Sequence, residues 1–306
     1  MIKVGISDQQ GFMGPDAQVR HRMLARAADA GLDHITVGDH IGFHGGTGFD
    51  ALISATSVLT SQERLSAIVG VYLLALRHPM LAARQLSTLC EMAPGRLTLG
   101  VGVGGEDRHE VSNAGVDPAT RGRRLDEALG LLRALVTGEE VTHDGEFFKL
   151  ESASIHPPPS PPVPIVIGGK GEVAVRRTAQ FGDGWLGIFC SVRRFRETLS
   201  QINEAATNYD RAAPSWFGVN VWCGLDPDEA KAKALIADRM ETLYRLPYER
   251  FQHIAPAGTP AQVAEWLAQF VHAGAQHLTI IPAASSLESA IDVAAEIRVK
   301  LLEGLA

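Results

Sequence analysis

The sequence predicts a (β/α)8 barrel, an α/β fold in which eight parallel strands alternate with helices. Short runs of β-forming residues alternate with longer runs of helical periodicity along the whole chain, and eight such pairs can be counted. The 306 residues are a usual length for one barrel, and a hydrophobic content of 45% allows a large core. A doubly wound open sheet is the alternative, since strand counts are hard to fix from sequence.

Eight segments rich in β-branched and other apolar residues are predicted to be strands. They are residues 2–7, 34–37, 65–73, 96–101, 164–169, 185–189, 216–223 and 277–281. The intervening helical patterns are residues 17–31, 50–61, 80–92, 121–137, 172–181, 194–208, 259–273 and 287–302. In the fourth of these, leucine and valine recur with a helical period, and Gly138 follows where a helix end favours glycine.

Three segments interrupt this alternation without dividing the chain. Residues 141–150 contain Asp144-Gly145 between β-formers, which predicts a hairpin. A proline-rich tract at 157–164 leads straight into the fifth strand, so it is an internal connection. Residues 227–257 are less periodic and predict an insertion late in the barrel. We therefore expect a single domain over residues 1–306.

Composition and charge exclude several classes of protein. The net charge of −7 argues against nucleic-acid binding, which needs clustered lysine and arginine. No run of about 18 apolar residues is present, and the start MIKVGISDQQ does not resemble a signal peptide. The three cysteines, Cys90, Cys190 and Cys223, lie far apart and suit a reducing compartment. We expect a soluble cytoplasmic protein that acts on a small molecule.

Function in such barrels gathers at the carboxyl ends of the strands. The fourth strand opens into LTLGVGVGGEDRHE at 97–110, where Gly102, Gly104 and Gly105 would let a flat ligand or an anion approach the main chain. Glu106 and His109 then offer groups for proton transfer at the same edge. A plain glycine turn followed by a solvated charged loop is the alternative for this segment.

Two further strand ends carry side chains that can take part in proton transfer or ligand binding. Strand two ends in Gly38-Asp39-His40, where His40 can donate or accept a proton, and His44 follows four residues later. Asp39 points to the other side of the pleat, where it either orients the loop or hydrogen-bonds the edge of a planar ligand. Strand three ends in Gly70-Val71-Tyr72.

The fifth strand ends in Gly168-Gly169-Lys170-Gly171 directly before a helix. Successive backbone N–H groups at a helix start attract an anion, and Lys170 adds a positive charge, so this turn is a candidate phosphate site. The GxxxxGK[ST] spacing of a P-loop is missing, and a glycine turn without a ligand is the alternative. Arg77 either contacts a phosphate or pairs with a neighbouring acid.

A metal site is a second interpretation of the same edge. Its ligands would come from His40, His44, Glu106, His109 and Glu110, which are ligand types for zinc or iron. The HxH and HExxH spacings are both missing from the sequence. A metal-dependent barrel hydrolase and a non-catalytic flavin-binding barrel therefore stand as alternatives to the interpretation developed next.

The ordered motifs resemble those of the luciferase-like monooxygenase superfamily, the flavin- and deazaflavin-dependent barrels related to bacterial luciferase. The resemblance covers residues 17 to 190 and, more loosely, the rest of the chain. The motifs are VGDH at 37–40, LRHPMLAARQLSTL at 76–89, GRLTLGVGVGG at 95–105, RGRRLDEALGLLRAL at 121–135, GEFFKL at 145–150, PIVIGG at 164–169 and GDGW at 182–185.

The resemblance implies an oxidoreductase that binds coenzyme F-420 (F420), slightly preferred, or FMN, and acts by hydride transfer or monooxygenation. It implies a non-proline cis peptide at Gly70-Val71 behind the cofactor ring, and His40 as the active-site histidine, with Glu106 or His109 as a second acid or base. The cofactor would be bound by a set spread over four strand ends: Asp39, Gly70, Val71, Gly102, Gly104, Gly105, Gly168, Gly169 and Lys170. It also implies a homodimer.

Two departures from the family pattern qualify this. Some flavin-dependent members carry an arginine for phosphate after the fourth strand, where this chain has Val103-Gly104-Gly105. Some deazaflavin dehydrogenases carry a glutamate directly after the glycines, whereas here Glu106 is offset by one residue. The loops at 41–49, 106–117, 189–192 and 224–257 carry few fixed charges, so we expect a small, fairly apolar substrate. Its pocket would include His44, Tyr72 and Trp185.

Overall fold

The computed structural model describes residues 2–104 and 107–305 of the chain, and within them eight parallel strands close into a barrel. The order around the barrel is β1–β2–β3–β4–β7–β8–β9–β11, and β11 pairs back onto β1. The predicted (β/α)8 barrel is therefore confirmed. The barrel strands are β1 (Lys3–Ile6), β2 (His34–Val37), β3 (Ser66–Tyr72), β4 (Leu97–Val101), β7 (Ile165–Gly168), β8 (Gly184–Ile188), β9 (Trp216–Leu225) and β11 (His277–Ala283).

Helices surround the barrel and join successive strands. They are α1 (Gln9–Phe12), α2 (Ala17–Asp29), α3 (Phe43–Gly46), α4 (Ala51–Ser61), α5 (Pro79–Met92), α6 (Arg108–Asn113), α7 (Arg121–Leu135), α8 (Gly171–Phe181), α9 (Val192–Ala206), α10 (Glu229–Tyr244), α11 (Pro260–His272) and α12 (Leu287–Gly304). Two 3-10 turns lie at Leu74–Leu76 and Tyr248–Arg250. Along the described chain, no helix is both long and apolar enough to cross a bilayer.

The predicted hairpin is present as β5 (Val141–Asp144) paired antiparallel with β6 (Lys149–Ala153). The region predicted as an insertion contains α10 and the second 3-10 turn, and it ends in β10 (Ala257–Gly258), which pairs with the end of β9. This pairing carries β9 two residues beyond its predicted end.

Helix starts follow the sequence signals for capping. The Asp50 carboxylate accepts hydrogen bonds from the first backbone N–H groups of α4, and Thr259 with Gln262 forms a capping box at α11. The start of α6 was not predicted: Asp107 caps this helix by accepting from the His109 backbone N–H at 2.9 Å. The charged segment expected to be a loop is therefore partly helical.

Strand β3 contains a bulge near its carboxyl end. Val69 pairs with Leu99 and Tyr72 with Val101, so two residues of β3 face one residue of β4. The intervening peptide bond, Gly70–Val71, is cis, as the family resemblance implied. Because of the extra residue, the Val71 side chain packs against the apolar cluster inside the barrel, and Tyr72 turns to the outer core.

The interior of the barrel is polar near the amino ends of the strands. His34 Nε2 lies 3.1 Å from Thr279 Oγ1, which is 2.8 Å from Thr36 Oγ1. His277 stacks on the Trp216 ring with centroids 4.1 Å apart. Burial, and secondarily the neighbouring His277, lowers the pKa of His34 to about 3, and burial lowers that of His277 to about 4. Both imidazoles are therefore neutral at physiological pH.

Candidate active site

His40 lies at the carboxyl end of the barrel, three residues beyond β2. It begins a loop of residues 40–49, here called the histidine loop, which folds back on itself. The His40 backbone N–H donates to the Phe49 carbonyl at 3.1 Å, which closes the loop at its base. Gly48 packs so tightly on His40 that a Cβ there would lie 2.7 Å from His40 Cβ. The Phe43 ring covers one face of the imidazole, with centroids 4.2 Å apart. The His40 side chain is still 41% exposed, so it is accessible to a ligand.

Glu110, on α6, holds this loop from the other side. Its carboxylate is 2% exposed, and Oε1 accepts hydrogen bonds from the backbone N–H groups of Ile41 at 2.6 Å and Gly42 at 3.1 Å. His40 Nδ1 lies 3.3 Å from both carboxylate oxygens. The sequence placed Glu110 among possible metal ligands, whereas the structure shows that it binds the histidine loop.

Asp107 makes a second link between α6 and the loop. Its carboxylate accepts from the His44 backbone N–H at 2.9 Å, and His44 Nδ1 lies 3.6 Å away. Hydrogen bonds from the His44 and His109 backbone N–H groups lower the pKa of Asp107. His44, His109 and Asp107 thus lie together at the rim, as predicted for the two histidines. Gly105 and Glu106, also predicted here, fall outside the described residues.

Asp39 is turned into the protein and away from the rim. Its carboxylate is fully buried and accepts from the backbone N–H groups of Leu73 at 2.8 Å and Ala51 at 3.0 Å. Both terminal nitrogens of Arg77 donate to it, at 2.6 and 2.9 Å, and Arg77 also reaches Asp50 at 3.0 Å. Of the two interpretations of Asp39, the structure favours orienting the loops over contacting a ligand, and Arg77 pairs with acids.

Two aromatic residues expected in the substrate pocket belong to the outer core. Tyr72 is 1% exposed, and its hydroxyl lies 3.4 Å from Gln85 Oε1. Trp185 is 2% exposed, packs against Phe195 on α9, and donates its indole N–H to the Gly169 carbonyl at 3.1 Å. Strand alternation explains this placement, because Leu186 takes the inward position next to Trp185. Trp185 supports the Gly169 turn and does not line a pocket.

The predicted glycines of two strand ends surround Val71. A Cβ on Gly102 would lie 2.3 Å from Val71 Cγ2, and one on Gly168 would lie 2.6 Å from Val71 Cγ1. Gly70 is similarly confined, since a Cβ there would lie 3.0 Å from Thr36 Cγ2. Glycine at these positions leaves room for the Val71 side chain. We call Val71 together with Gly70, Gly102 and Gly168 the platform, which lies inside the carboxyl end of the barrel.

Gly168 to Lys170 form the turn that leads into α8. Gly169 has φ of 119° and Gly171 has φ of 75°, conformations that favour glycine. Within residues 2–104 and 107–305 no side chain caps α8, so the N–H groups of its first turn would be able to bind an anion. Lys170 Nζ lies 5.4 Å from the Phe189 ring centroid. The turn keeps the features of the predicted phosphate site.

Sequence reasoning missed two polar residues on the inner face of β9. Asn220 is 5% exposed, and neither its Oδ1 nor Trp222 Nε1 has a hydrogen-bond partner among the described residues. Asn220 lies close to Gly70, at the level of the bulge. A buried polar atom without a partner costs about 1–3 kcal/mol, so this pair indicates a ligand that supplies a donor and an acceptor. The polar Asn within an otherwise apolar strand was the available signal.

Two cavities flank the histidine loop and share His44. The larger, of about 630 Å³, lies between the loop and α6, and the smaller, of about 550 Å³, lies between the loop and the end of α10. The first is lined by Ile41, Gly42, His44, Gly45, Gly46, Asp107, His109, Glu110 and Asn113. The second is lined by Phe43, His44, Thr47, Thr242, Leu243, Tyr244 and Arg245.

The chain is similar to known proteins over almost its whole length. The family model described as luciferase-like monooxygenase matches residues 6–277. An F420-dependent glucose-6-phosphate dehydrogenase from Beutenbergia cavernae is 32% identical over 244 residues, which cover 76% of this chain and 71% of that protein. One of the same name from Intrasporangium calvum is 27% identical and covers 92% of each chain.

A solved structure shares the fold. An F420-dependent secondary alcohol dehydrogenase, in complex with an F420–acetone adduct, superimposes with a TM-score of 0.85 over 98% of this chain and 99% of its own. The two sequences are 19% identical, so this likeness concerns the fold.

Proposed function

The chain belongs to the luciferase-like monooxygenase family, and on this premise we propose that it is an oxidoreductase that binds F420, in preference to FMN, at the carboxyl end of its barrel. The names of the relatives from Beutenbergia cavernae and Intrasporangium calvum support F420. The observation that carries the proposal is the Val71 side chain packed among glycines, with the buried Asn220 close to Gly70 and its Oδ1 without a hydrogen-bond partner among the described residues.

The residues present fit a flat heteroaromatic ring with a polar edge. Val71, with Gly70, Gly102 and Gly168 around it, offers an apolar side chain on which such a ring would pack. Asn220 Oδ1 would accept from a ring N–H and Trp222 Nε1 would donate to a ring carbonyl, which removes the cost of leaving both atoms unpaired.

The other predicted cofactor contacts extend from this platform. Gly104 has φ of 64°, and the main chain that it turns after β4 would hold the ring and its side chain. Gly169, Lys170 and the first turn of α8 would hold the phosphate through N–H groups and one positive charge. Gly105 remains a predicted contact.

A bound F420 would supply a hydride carrier, whereas reduced FMN would also react with oxygen. His40 moves a proton at the substrate oxygen, because its imidazole is 41% exposed at the carboxyl end of the barrel and is held there by Glu110 and Phe43. His109 and Glu106 remain the candidates for a second acid or base. Among residues 2–104 and 107–305, no group of three or more His, Cys, Asp or Glu side chains is placed to hold a metal ion, so the structure lends no support to a metal-dependent hydrolase.

We propose an uncharged alcohol or carbonyl compound as substrate, in contrast to the sugar phosphate in the names of the relatives. The larger cavity is lined by the carboxylates of Asp107 and Glu110, which would repel a phosphate. In the part of the chain that the structure describes, Arg245 is the one lysine or arginine lining the two cavities. Ile41, Phe43 and Tyr244 add apolar surface.

A binding titration of the purified protein with F420 and with FMN, followed by fluorescence, tests the cofactor. Tight binding of F420 supports the proposal, and screening with 2-propanol, cyclohexanol and glucose 6-phosphate then tests the substrate class. Turnover of glucose 6-phosphate alone would overturn the proposed substrate. If neither cofactor binds with a Kd below about 100 μM, the proposed activity is wrong.

We also propose a homodimer, as the family resemblance implies, and a cytoplasmic location, in agreement with three free cysteines that suit a reducing compartment. Ile53 on α4 and Leu81 on α5 are 72% and 64% exposed, which gives neighbouring helices apolar surface that a subunit contact would bury. Light scattering on the purified protein measures the mass of the assembly against the 32.8 kDa of one chain.

A further inference from the structure

We infer that Glu110 is a positioning residue that fixes the tautomer of His40, so that Nδ1 carries the hydrogen and Nε2 is left free to accept a proton from the substrate. The inference rests on the proposed function only in taking the accepted proton to come from the substrate. The tautomer itself is argued from contacts within residues 2–104 and 107–305.

The hydrogen-bond partners of Glu110 define its chemical state. Oε1 accepts two backbone N–H groups, from Ile41 at 2.6 Å and Gly42 at 3.1 Å, within a site where the side chain is 2% exposed. Neither donor can accept a hydrogen bond, so Oε1 serves only as an acceptor. A buried carboxylate of this kind needs hydrogen-bond donors on its remaining lone pairs.

His40 Nδ1 is the side-chain donor available to it. This nitrogen lies 3.3 Å from both carboxylate oxygens, and an ionised carboxylate can only accept. The hydrogen therefore belongs on Nδ1, which leaves the lone pair on Nε2. Phe43 packs on one face of the ring at 4.2 Å, and Gly48 confines the backbone, so the imidazole is held in this orientation.

The consequence is a directed proton transfer. The O–H bond of a substrate alcohol breaks, its proton forms a bond with Nε2, and the electron pair of that bond stays on the substrate oxygen. The imidazolium that results lies against the Glu110 carboxylate, which stabilises its charge. With the opposite tautomer, Nε2 would present a hydrogen to the substrate and could not accept this proton.

The substitution Glu110→Gln is expected to change the tautomer of His40 while keeping the attachment of the loop. The amide oxygen of Gln can still accept from Ile41 and Gly42, so the loop keeps its attachment. The amide nitrogen would then donate to His40 Nδ1 and place the hydrogen on Nε2. Asp107→Asn is the matched control, because Asp107 lies on the same helix and binds the same loop at His44 without contacting His40.

Long-range ¹H–¹⁵N spectra of histidine-labelled protein without cofactor report the tautomer directly, with His40 assigned by its absence in His40→Gln. We expect the Nδ1–H form in the native protein and in Asp107→Asn, and the Nε2–H form in Glu110→Gln. Finding Nε2–H in the native protein overturns the inference, and that measurement needs no variant to fold. An equal change in Asp107→Asn would show instead that loop attachment sets the tautomer.

Turnover provides a second readout once F420 is bound. Glu110→Gln should lower kcat by about 10²-fold while the Kd for F420 stays within about twofold of the native value. Unchanged kcat with a changed tautomer would overturn the functional part of the inference. Failure to bind F420 would overturn the proposed function and leave the spectra of the cofactor-free protein to decide this inference.

Discussion

Asp39 and His40 are adjacent in sequence, yet strand geometry separates their roles. His40 points to the open end of the barrel, and Asp39 points into a buried cluster with Arg77. The sequence predicted His40 at the rim because it follows a strand. It left Asp39 and Arg77 undecided, because their pairing spans 38 residues and depends on how β2, α4 and the end of β3 pack. The same limit hid Glu110, whose partners lie about 70 residues away.

His40→Ala tests the central role of that imidazole. We expect kcat to fall by about 10²-fold or more, because the proton acceptor is removed from the rim. The Kd for the cofactor should stay nearly unchanged, since the platform around Val71 does not include His40. Steady-state kinetics and fluorescence titration of the same sample measure both quantities. Lost cofactor binding with unimpaired chemistry would contradict the assignment.

Asp39→Ala tests whether the buried acid stabilises the fold. Removing one partner of a buried ion pair costs about 3–5 kcal/mol, and two backbone N–H groups also lose their acceptor. Urea unfolding should show a lower free energy of unfolding of that order. Arg26→Ala is the control, because the Arg26–Asp292 pair is exposed and its loss should leave stability nearly unchanged. Equal effects in both variants would refute the argument.

At the scale of elements, periodicity predicted most of the fold and missed the short helices. Helical runs of eight or more residues carry enough apolar positions to show their period, as in α7 and α9. Helix α6 has six residues and two buried side chains, so its period is too short to detect. The bulge in β3 also escaped the residue pattern, because Gly70-Val71-Tyr72 alternates like any strand, and only the family resemblance indicated it.

Gly102→Ala tests the packing of the platform. The new methyl group would lie 2.3 Å from Val71 Cγ2, so we expect a loss of about 1–3 kcal/mol in the free energy of unfolding, as in other overpacked cores. Val71→Ala in the same chain should restore part of it by making room. Gly130→Ala is the matched control: it lies within α7 with nothing nearer than 3.9 Å, and should raise stability by about 0.5–1 kcal/mol. Equal stability of the native protein and Gly102→Ala would refute this packing.

For the molecule as a whole, the barrel divides into two polar ends with different chemistry. The carboxyl end holds exposed histidines and hydrogen-bonded carboxylates around a platform, whereas the amino end holds the neutral imidazoles of buried His34 and half-buried His277. Alternation in the strands predicts which residues face inward, but it does not predict that the interior is polar. That outcome depends on Thr36 and Thr279 meeting across the barrel from sequence positions 243 residues apart.

The buried histidines predict how stability depends on pH. The pKa of His34 is about 3 in the folded protein, against 6.5 as the ordinary value, so the unfolded chain takes up a proton first. Stability is therefore fully present above pH 6.5 and is lost as the pH falls toward 3. The loss is at most about 1.4 kcal/mol per pH unit for each such histidine.

His34→Gln should flatten this dependence, because Gln can keep the bond to Thr279 and takes up no proton. Urea unfolding at pH 7.0, 6.0 and 5.0 measures the slope in the native protein and the variant. His21→Gln, at an exposed position on α2, is the control and should keep the native slope. The same slope in His34→Gln and the native protein would rule out a contribution from His34.

Glu110 on α6 and the N-cap residue Asp107 bind the histidine loop through its backbone N–H groups. Glu110 and Asp107 accept from the backbone N–H groups of Ile41, Gly42 and His44, and these three bonds do not depend on the side chains of Ile41 and His44. Evolution or a designer can therefore exchange those side chains for new ones, and so change what the enzyme accepts, without loosening the loop. The position of the catalytic residues can therefore stay fixed while the substrate specificity changes.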